Sequence, residues 1–254
     1  MTVLVDVGNT RIKWATLERG TLVRAGSAVH REAPDAALDA FAAALPEKPR
    51  IIVANVAGEP MAARLRALVA ARPGATLELV ATEKERFGVR CAYADPSRLG
   101  VDRWVAVLAA FHVAPGPACV IDAGTAVTFD AVDASGSHLG GLILPCARLL
   151  AAALDRNTSN IGRTAEPAAA ARGLDLLGRT TDAAVGHGAW LALSAALDRA
   201  ARTVADALRA DPAVYLTGGD AEALSGWLEC RVEERADLVL EGLALFAGGS
   251  KRES

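Results

Sequence analysis

Two stretches of this chain obey one rule. LVDVGNTRIK, residues 4–13, and VIDAGTAVTFD, residues 120–130, each run from an apolar strand into an acid, through a glycine, and on into strand-forming residues. A buried strand can end on a carboxylate only where that carboxylate finds water or a partner, at the rim of a sheet. Two such strand ends, more than a hundred residues apart, restrict the chain to folds that use the device twice. Two similar halves satisfy that most simply.

The remaining pattern agrees. Residues 2–7 predict a buried strand, and 11–17 and 21–27 continue it as a meander turned at Arg19-Gly20. Helical Ala/Leu patterns cover 35–45 and 59–72, with buried strands at 50–56 and 76–81. A polar, proline-containing stretch, CAYADPSRLGVDRW, leads into the helical pattern RWVAVLAAFHV. Pro115-Gly116-Pro117 then marks a boundary, dividing an N-terminal half (1–115) from a C-terminal half (116–254). Beyond it the order restarts: strands at ACVIDAG, AVTFDAVD and SHLGGLILP, and helices near 146–156 and 181–210. The strand AVYLTGG follows, then helical segments at 220–228 and 236–247. The expectation is an α/β protein of two similar halves.

Composition narrows the function classes. With 52% hydrophobic and 22% charged residues in 254, the chain can bury a large core, and 4% aromatics make that core Ala, Leu and Val. A net charge of −3 with scattered Lys and Arg gives no footprint for nucleic acid. Every apolar run is interrupted before membrane-spanning length, and no signal-like segment opens the chain, so a cytoplasmic protein is expected. Cys91, Cys119, Cys146 and Cys230 form no CxxC pair and are expected as free thiols rather than a zinc site.

The acidic turns suit polyphosphate. Gly8 and Gly124 let backbone N–H groups approach a phosphate, Thr10 and Thr125 add hydroxyls, and Lys13 reaches in from the next strand as a point charge. Asp6 and Asp122 would repel phosphate directly, so their natural partner is a cation carried with it. Gly218-Gly219, in TGGDA, lets a flat ring lie near backbone, while Asp220 can equally be a helix N-cap. Asp102 in LGVDRW starts a helix, where negative charge is favoured, and can accept a proton from an alcohol. Arg103 beside it offers a fork for a carboxylate. Residue by residue, an ordinary turn, a helix-start charge and a surface ion pair explain the same side chains.

DVGNTRIK, GVDRW, DAGTAVTFD, GGLILP and TGGDA, in that order, resemble the type III pantothenate kinases over nearly the whole chain, from residue 3 to about 248. The resemblance implies two ribonuclease-H-like halves in the duplicated fold of actin, sugar kinases and acetate kinase, with a central nucleotide cleft. It implies ATP-dependent phosphorylation of pantothenate, the first step of coenzyme A synthesis. Asp6, Val7, Gly8, Asn9, Thr10, Arg11, Ile12 and Lys13 would hold ATP with Mg2+, together with Gly124, Thr125, Gly218 and Gly219. Tyr93, Gly100, Val101, Asp102 and Arg103 would form the pantothenate site, with Asp102 as proton acceptor. Thr181 would reach the substrate of a partner subunit, making a homodimer. Asp122 matches the position that holds K+ or NH4+, and Asp6 would organise Mg2+.

The chain departs from the family pattern in three places. Cys146 follows Pro145 where glycine is usual, Thr180 stands where asparagine is common, and ANVAGE (54–59) replaces a Ser-Ser-Val-x-Pro segment. Helix 182–208 is an interface candidate, and His187 and Trp190 near its start are expected to pack. Two other function classes fit the same pattern: a non-catalytic transcription-accessory protein, and a kinase for another small hydroxy acid or sugar.

Overall fold

The apolar runs become the inner strands of two sheets built on one plan. The computed structural model describes residues 1–157 and 170–248. Strands β1 (Thr2–Val7), β2 (Arg11–Glu18), β3 (Thr21–Val29), β4 (Arg50–Asn55) and β5 (Thr76–Leu79) form a sheet of order β3-β2-β1-β4-β5. The first three make an antiparallel meander, and β4 and β5 run parallel to β1. Helices α1 (Pro34–Ala43), α2 (Glu59–Ala70) and α3 (Val101–Val113) and a small hairpin, β6 (Glu85–Arg86) with β7 (Val89–Arg90), complete this stretch. The second sheet has the order β10-β9-β8-β11-β12, from β8 (Ala118–Ala123), β9 (Ala126–Val132), β10 (His138–Pro145), β11 (Ala213–Thr217) and β12 (Glu233–Glu234). Its strand directions repeat those of the first. Helices α4 (Ala147–Asn157), α5 (Thr181–Leu208) and α6 (Ala221–Ser225) accompany it, and α7 (Leu238–Gly248) ends the described chain. This is a duplicated ribonuclease-H-like α/β fold.

The chain divides into two compact units, Met1–Ala114 with Asp237–Ser254, and Pro115–Ala236. A single cut at 115 would leave residues 237–248 with the second half; α7 instead packs on α3, β1 and β4 of the first. Its sequence, LVLEGLALFAG, is apolar nearly all round, which suits a helix seated between a sheet and another helix. Gly242 permits that seat: a Cβ there would meet the Val105 carbonyl oxygen and lie 2.6 Å from Val105 Cγ1.

In the first unit, alternation along the strands separates two buried faces. Val3, Val5 and Val7, with Ile12, Trp14, Ile51 and Val53, pack against α1 and α2. Leu4, Ile52 and Ala54 lie on the other face, fully buried, where α3 and α7 contact β1 and β4. Asp6 continues that second face at the strand end and is half-buried. Gly26 in β3 makes room for the Trp14 indole, since a Cβ there would lie 2.6 Å from Cζ2.

In the second unit, Cys119, Ile121 and Ala123 of β8 face a core with α4, α5 and α6. Trp190 of α5 belongs to it and stacks on Trp227 at 6.3 Å, while His187 Nδ1 pairs with the Leu176 carbonyl at 3.0 Å. On the reverse face His138 Nε2 and Asp130 Oδ1 form a buried pair at 3.0 Å. All four cysteines are free thiols. Burial, together with the neighbouring Cys230, pushes the Cys119 thiol up to about 12, so it stays protonated and unreactive at neutral pH. Helix α6 is shorter than the 220–228 pattern suggests, stopping before Gly226. No helix among the described residues is long and apolar enough to cross a membrane.

Candidate active site

The first turn is closed by its own backbone and by its neighbours. Gly8 N–H donates to the Arg11 carbonyl at 3.0 Å, which folds residues 8–11 tightly between β1 and β2. Across that ladder Asp6 stands directly opposite Lys13, so carboxylate and ammonium project from one face. Val7 and Ile12 are fully buried in the core, and only their backbone can serve a ligand. Asn9 and Arg11 are exposed and Thr10 half-buried. Two further segments brace the turn. The Val56 N–H donates to the Val7 carbonyl at 2.9 Å, from a bend in which Asn55 Nδ2 donates to the Gly58 carbonyl at 3.0 Å. At the end of β3, the His30 ring and backbone bond to Gly8 and Thr10.

The polar stretch before α3 folds as a chain of local bonds. Asp95 accepts from the Ser97 hydroxyl and N–H, which hold its carboxyl below the usual carboxylate range and start a short turn at Pro96–Arg98. Thr82 Oγ1 donates to the Leu99 carbonyl at 2.9 Å, tying the next residues down. Gly100 then caps α3, leaving Val101 buried and Asp102 in the first turn. The Asp102 carboxylate curls back, with Oδ1 accepting the Arg103 N–H at 2.7 Å. A Cβ on residue 100 would lie 2.6 Å from that oxygen, so glycine is what leaves space for it. Arg103 is not a surface ion-pair residue: it is only 8% exposed, and its Nη1 donates to the Tyr93 hydroxyl at 3.3 Å. Tyr93, Gly100, Asp102 and Arg103 are therefore one cluster.

The second turn is built against the late glycine pair. Asp220 N–H donates to the Ala123 carbonyl at 2.9 Å. Gly218 has φ +103°, and a Cβ on it would sit 2.5 Å from the Ala123 backbone. No side chain fits that contact, and so Gly124-Thr125 and Gly218-Gly219 lie side by side. Nothing stands within 4 Å of where a Gly219 Cβ would be, which leaves its outer side open. Asp122 has Thr128 of β9 and Thr217 of β11 as its in-register neighbours. Where Asp6 has a lysine in register on the neighbouring strand, Asp122 has a threonine on each side. Thr180 Oγ1 accepts the Ala183 N–H at 3.1 Å and is the N-cap of α5. Capping is therefore not Thr181's task; Thr181 is exposed at the first helical position.

Residues 2–203 match the family model of type III pantothenate kinases. Proteins of that name from Chromobacterium violaceum and Nitrosococcus oceani are 39% and 34% identical to the chain, each over 97% of it and over 99% and 94% of their own lengths. The chain belongs to the type III pantothenate kinase family. Solved structures agree at the level of fold. A Campylobacter jejuni protein described provisionally as a Baf family transcriptional activator superposes with a TM-score of 0.59 at 18% identity, covering 97% of each chain. A Sinorhizobium meliloti protein described provisionally as a 2-dehydro-3-deoxygalactonokinase gives 0.58 at 18% identity, covering 100% of this chain and 98% of its own.

Against this pantothenate kinase pattern the three departures have structural explanations. The Cys146 side chain is buried in the core of the second unit, away from the loop surface. Thr180 caps α5 as asparagine does. The 54–59 segment braces β1 through the Val56 N–H, and the Asn55 side chain, rather than serine hydroxyls, holds its bend. Two residues were not legible as site neighbours. His30 lies 22 positions from Gly8 and is brought to it only by the β2–β3 register. Arg148, whose Nη2 donates to Asp220 Oδ2 at 3.3 Å, belongs to no motif.

Proposed function

We propose that the chain transfers the γ-phosphoryl group of ATP to the terminal hydroxyl of pantothenate, yielding 4'-phosphopantothenate for coenzyme A synthesis. The observation that carries this reading is the cluster at the start of α3, where a carboxylate and a buried guanidinium stand on adjacent residues beside a tyrosine hydroxyl. Asp102 accepts the hydroxyl proton as the phosphoryl group arrives. Arg103, prevented by burial from swinging away, binds the pantothenate carboxylate, and Tyr93 lines the same pocket. The N–H groups of residues 9–11, in the turn that Gly8 opens, and the Lys13 ammonium hold phosphate oxygens. Gly124, Thr125, Gly218 and Gly219 receive the rest of the nucleotide.

Asp6 fits a hydrated Mg2+ bound to the phosphates. No group of three or more His, Cys, Asp or Glu side chains converges among the described residues, so the phosphates and water supply most of the shell. Asp122, between two threonines, offers oxygen donors suited to K+ or NH4+. The enzyme works in the cytoplasm as a homodimer. The exposed apolar side chains Leu139, Leu142, Ile143, Leu174, Leu177 and Leu191 of the second unit support that pairing, and the exposed Thr181 reaches the partner's substrate.

Purified protein given ATP, Mg2+ and pantothenate is expected to release ADP stoichiometrically with 4'-phosphopantothenate, faster in K+ or NH4+ than in Na+. ADP release with another hydroxy acid or sugar and not with pantothenate would move the enzyme within the superfamily. None with any acceptor would leave a non-catalytic protein. Retention of Asp6, Lys13, Asp102, Arg103 and Asp122 together favours catalysis, because a scaffold requires none of them.

The reading also predicts the outcome of Gly100→Ala. The added methyl meets only the tip of the Asp102 side chain, so the helix stands and the carboxylate turns aside. We expect kcat to fall about tenfold, as misplacing a reacting group does, with Tm within roughly 2 °C of wild type. Turnover kinetics and a thermal melt on the same preparation check both halves.

A further inference from the structure

We infer that His30 is a positioning residue for ATP, through the peptide that joins Gly8 to Asn9; this rests on the reading of residues 8–11 as a phosphate turn. His30 directly follows β3, is 6% exposed, and holds its Nε2 2.7 Å from the Gly8 carbonyl oxygen. A carbonyl only accepts, so Nε2 carries the proton in this contact. The His30 backbone N–H donates to the Thr10 carbonyl at 3.0 Å, and Arg31 N–H approaches the same oxygen at 3.4 Å. Residues 30 and 31 thus engage both the Gly8 and the Thr10 carbonyls of the turn.

Phosphate binding makes this matter. A carbonyl oxygen facing a phosphate oxygen repels it, whereas an N–H attracts it. In a planar trans peptide the C=O and the following N–H point in opposite directions. The imidazole that draws the Gly8 carbonyl to itself therefore aims the Asn9 N–H the other way. Gly8 N–H is already committed to the Arg11 carbonyl at 3.0 Å, so the His30 contact settles the remaining rotation of the Gly8–Asn9 peptide. Glycine, with little resistance to such rotation, is where an outside tether has most to do.

The test compares His30→Phe, which keeps a ring but cannot donate, with His30→Gln, whose amide nitrogen reaches a similar distance. His30→Phe should raise the KM for ATP about tenfold, the net worth of one hydrogen bond. Its kcat and its KM for pantothenate should stay within about threefold, and His30→Gln should restore the ATP KM to within about threefold of wild type. An unchanged ATP KM in His30→Phe, or equal impairment in both variants, overturns the inference, because the ring would then only fill space. Lys13→Ala separates the two readings: if it raises the ATP KM while His30→Phe does not, the inference alone fails. If neither variant changes it, the phosphate turn falls and the inference with it. Should His30→Phe not fold, amide NMR on the wild-type chain decides, since added ADP must shift the Asn9 N–H downfield; an unmoved Asn9 resonance overturns the inference.

Discussion

Asp102→Asn is expected to lower kcat for pantothenate phosphorylation by about a hundredfold to a thousandfold, with the KM values for both substrates nearly unchanged. Asparagine has the same shape, and its Oδ1 can still accept the Arg103 N–H, which the carboxylate now takes at 2.7 Å. The helix start and the neighbouring guanidinium therefore keep their places. What disappears is basicity, and a positioned base contributes roughly 10² to 10⁴ in rate. Phosphoryl transfer has a loose transition state in which the attacking hydroxyl has lost little of its proton, so the lower half of that range applies. Steady-state kinetics measures the loss, and sedimentation at the mass of the wild-type protein shows that the fold survived. A variant retaining more than a tenth of the wild-type rate removes Asp102 from the role of base.

Gly242→Leu is expected to act without touching the candidate site. The side chain would have to enter space held by the Val105 carbonyl, with Val105 Cγ1 2.6 Å from its Cβ. That neighbour is the backbone of a helix seated on the sheet, which cannot yield as a flexible side chain can. Either α7 lifts from the face that buries Leu4, Ile52 and Ala54, or α3 shifts and carries Asp102 and Arg103 with it. A destabilisation of about 3 kcal/mol follows from overpacking of this kind. For a chain of this size that lowers Tm on the order of 10 °C. Thermal melting reads the effect; a melt within about 2 °C of wild type would mean that the two helices are not as closely apposed as described.

Asp6 and Asp122 were legible because strand sequences declare themselves by apolar runs, and an acid at the end of one is conspicuous. The two meanders and most helices could be read on the same grounds. Strand order within each sheet is a long-range property, and periodicity does not encode which edge β4 or β11 joins. For α7, the apolar pattern predicts a buried helix and is silent on which unit it buries against. For Arg103 the residue type left two readings open, a carboxylate fork and a surface ion pair, and only packing shows that the side chain is enclosed. The curl of Asp102 over Gly100 and the His30 tether are matters of a few ångströms, set by backbone geometry that no residue type announces.

The seat of α7 ties the order of synthesis to the order of folding. The first unit is drawn from two separate stretches of the chain, so a ribosome that has completed β1 to α3 has made a sheet with one flank only partly covered. That flank stays partly open while the whole second unit is translated, and closes only when α7 leaves the exit tunnel. A premature stop codon shortly before Leu238 would remove no residue assigned here to ATP or pantothenate, yet it would strip the cover from the strand that carries Asp6.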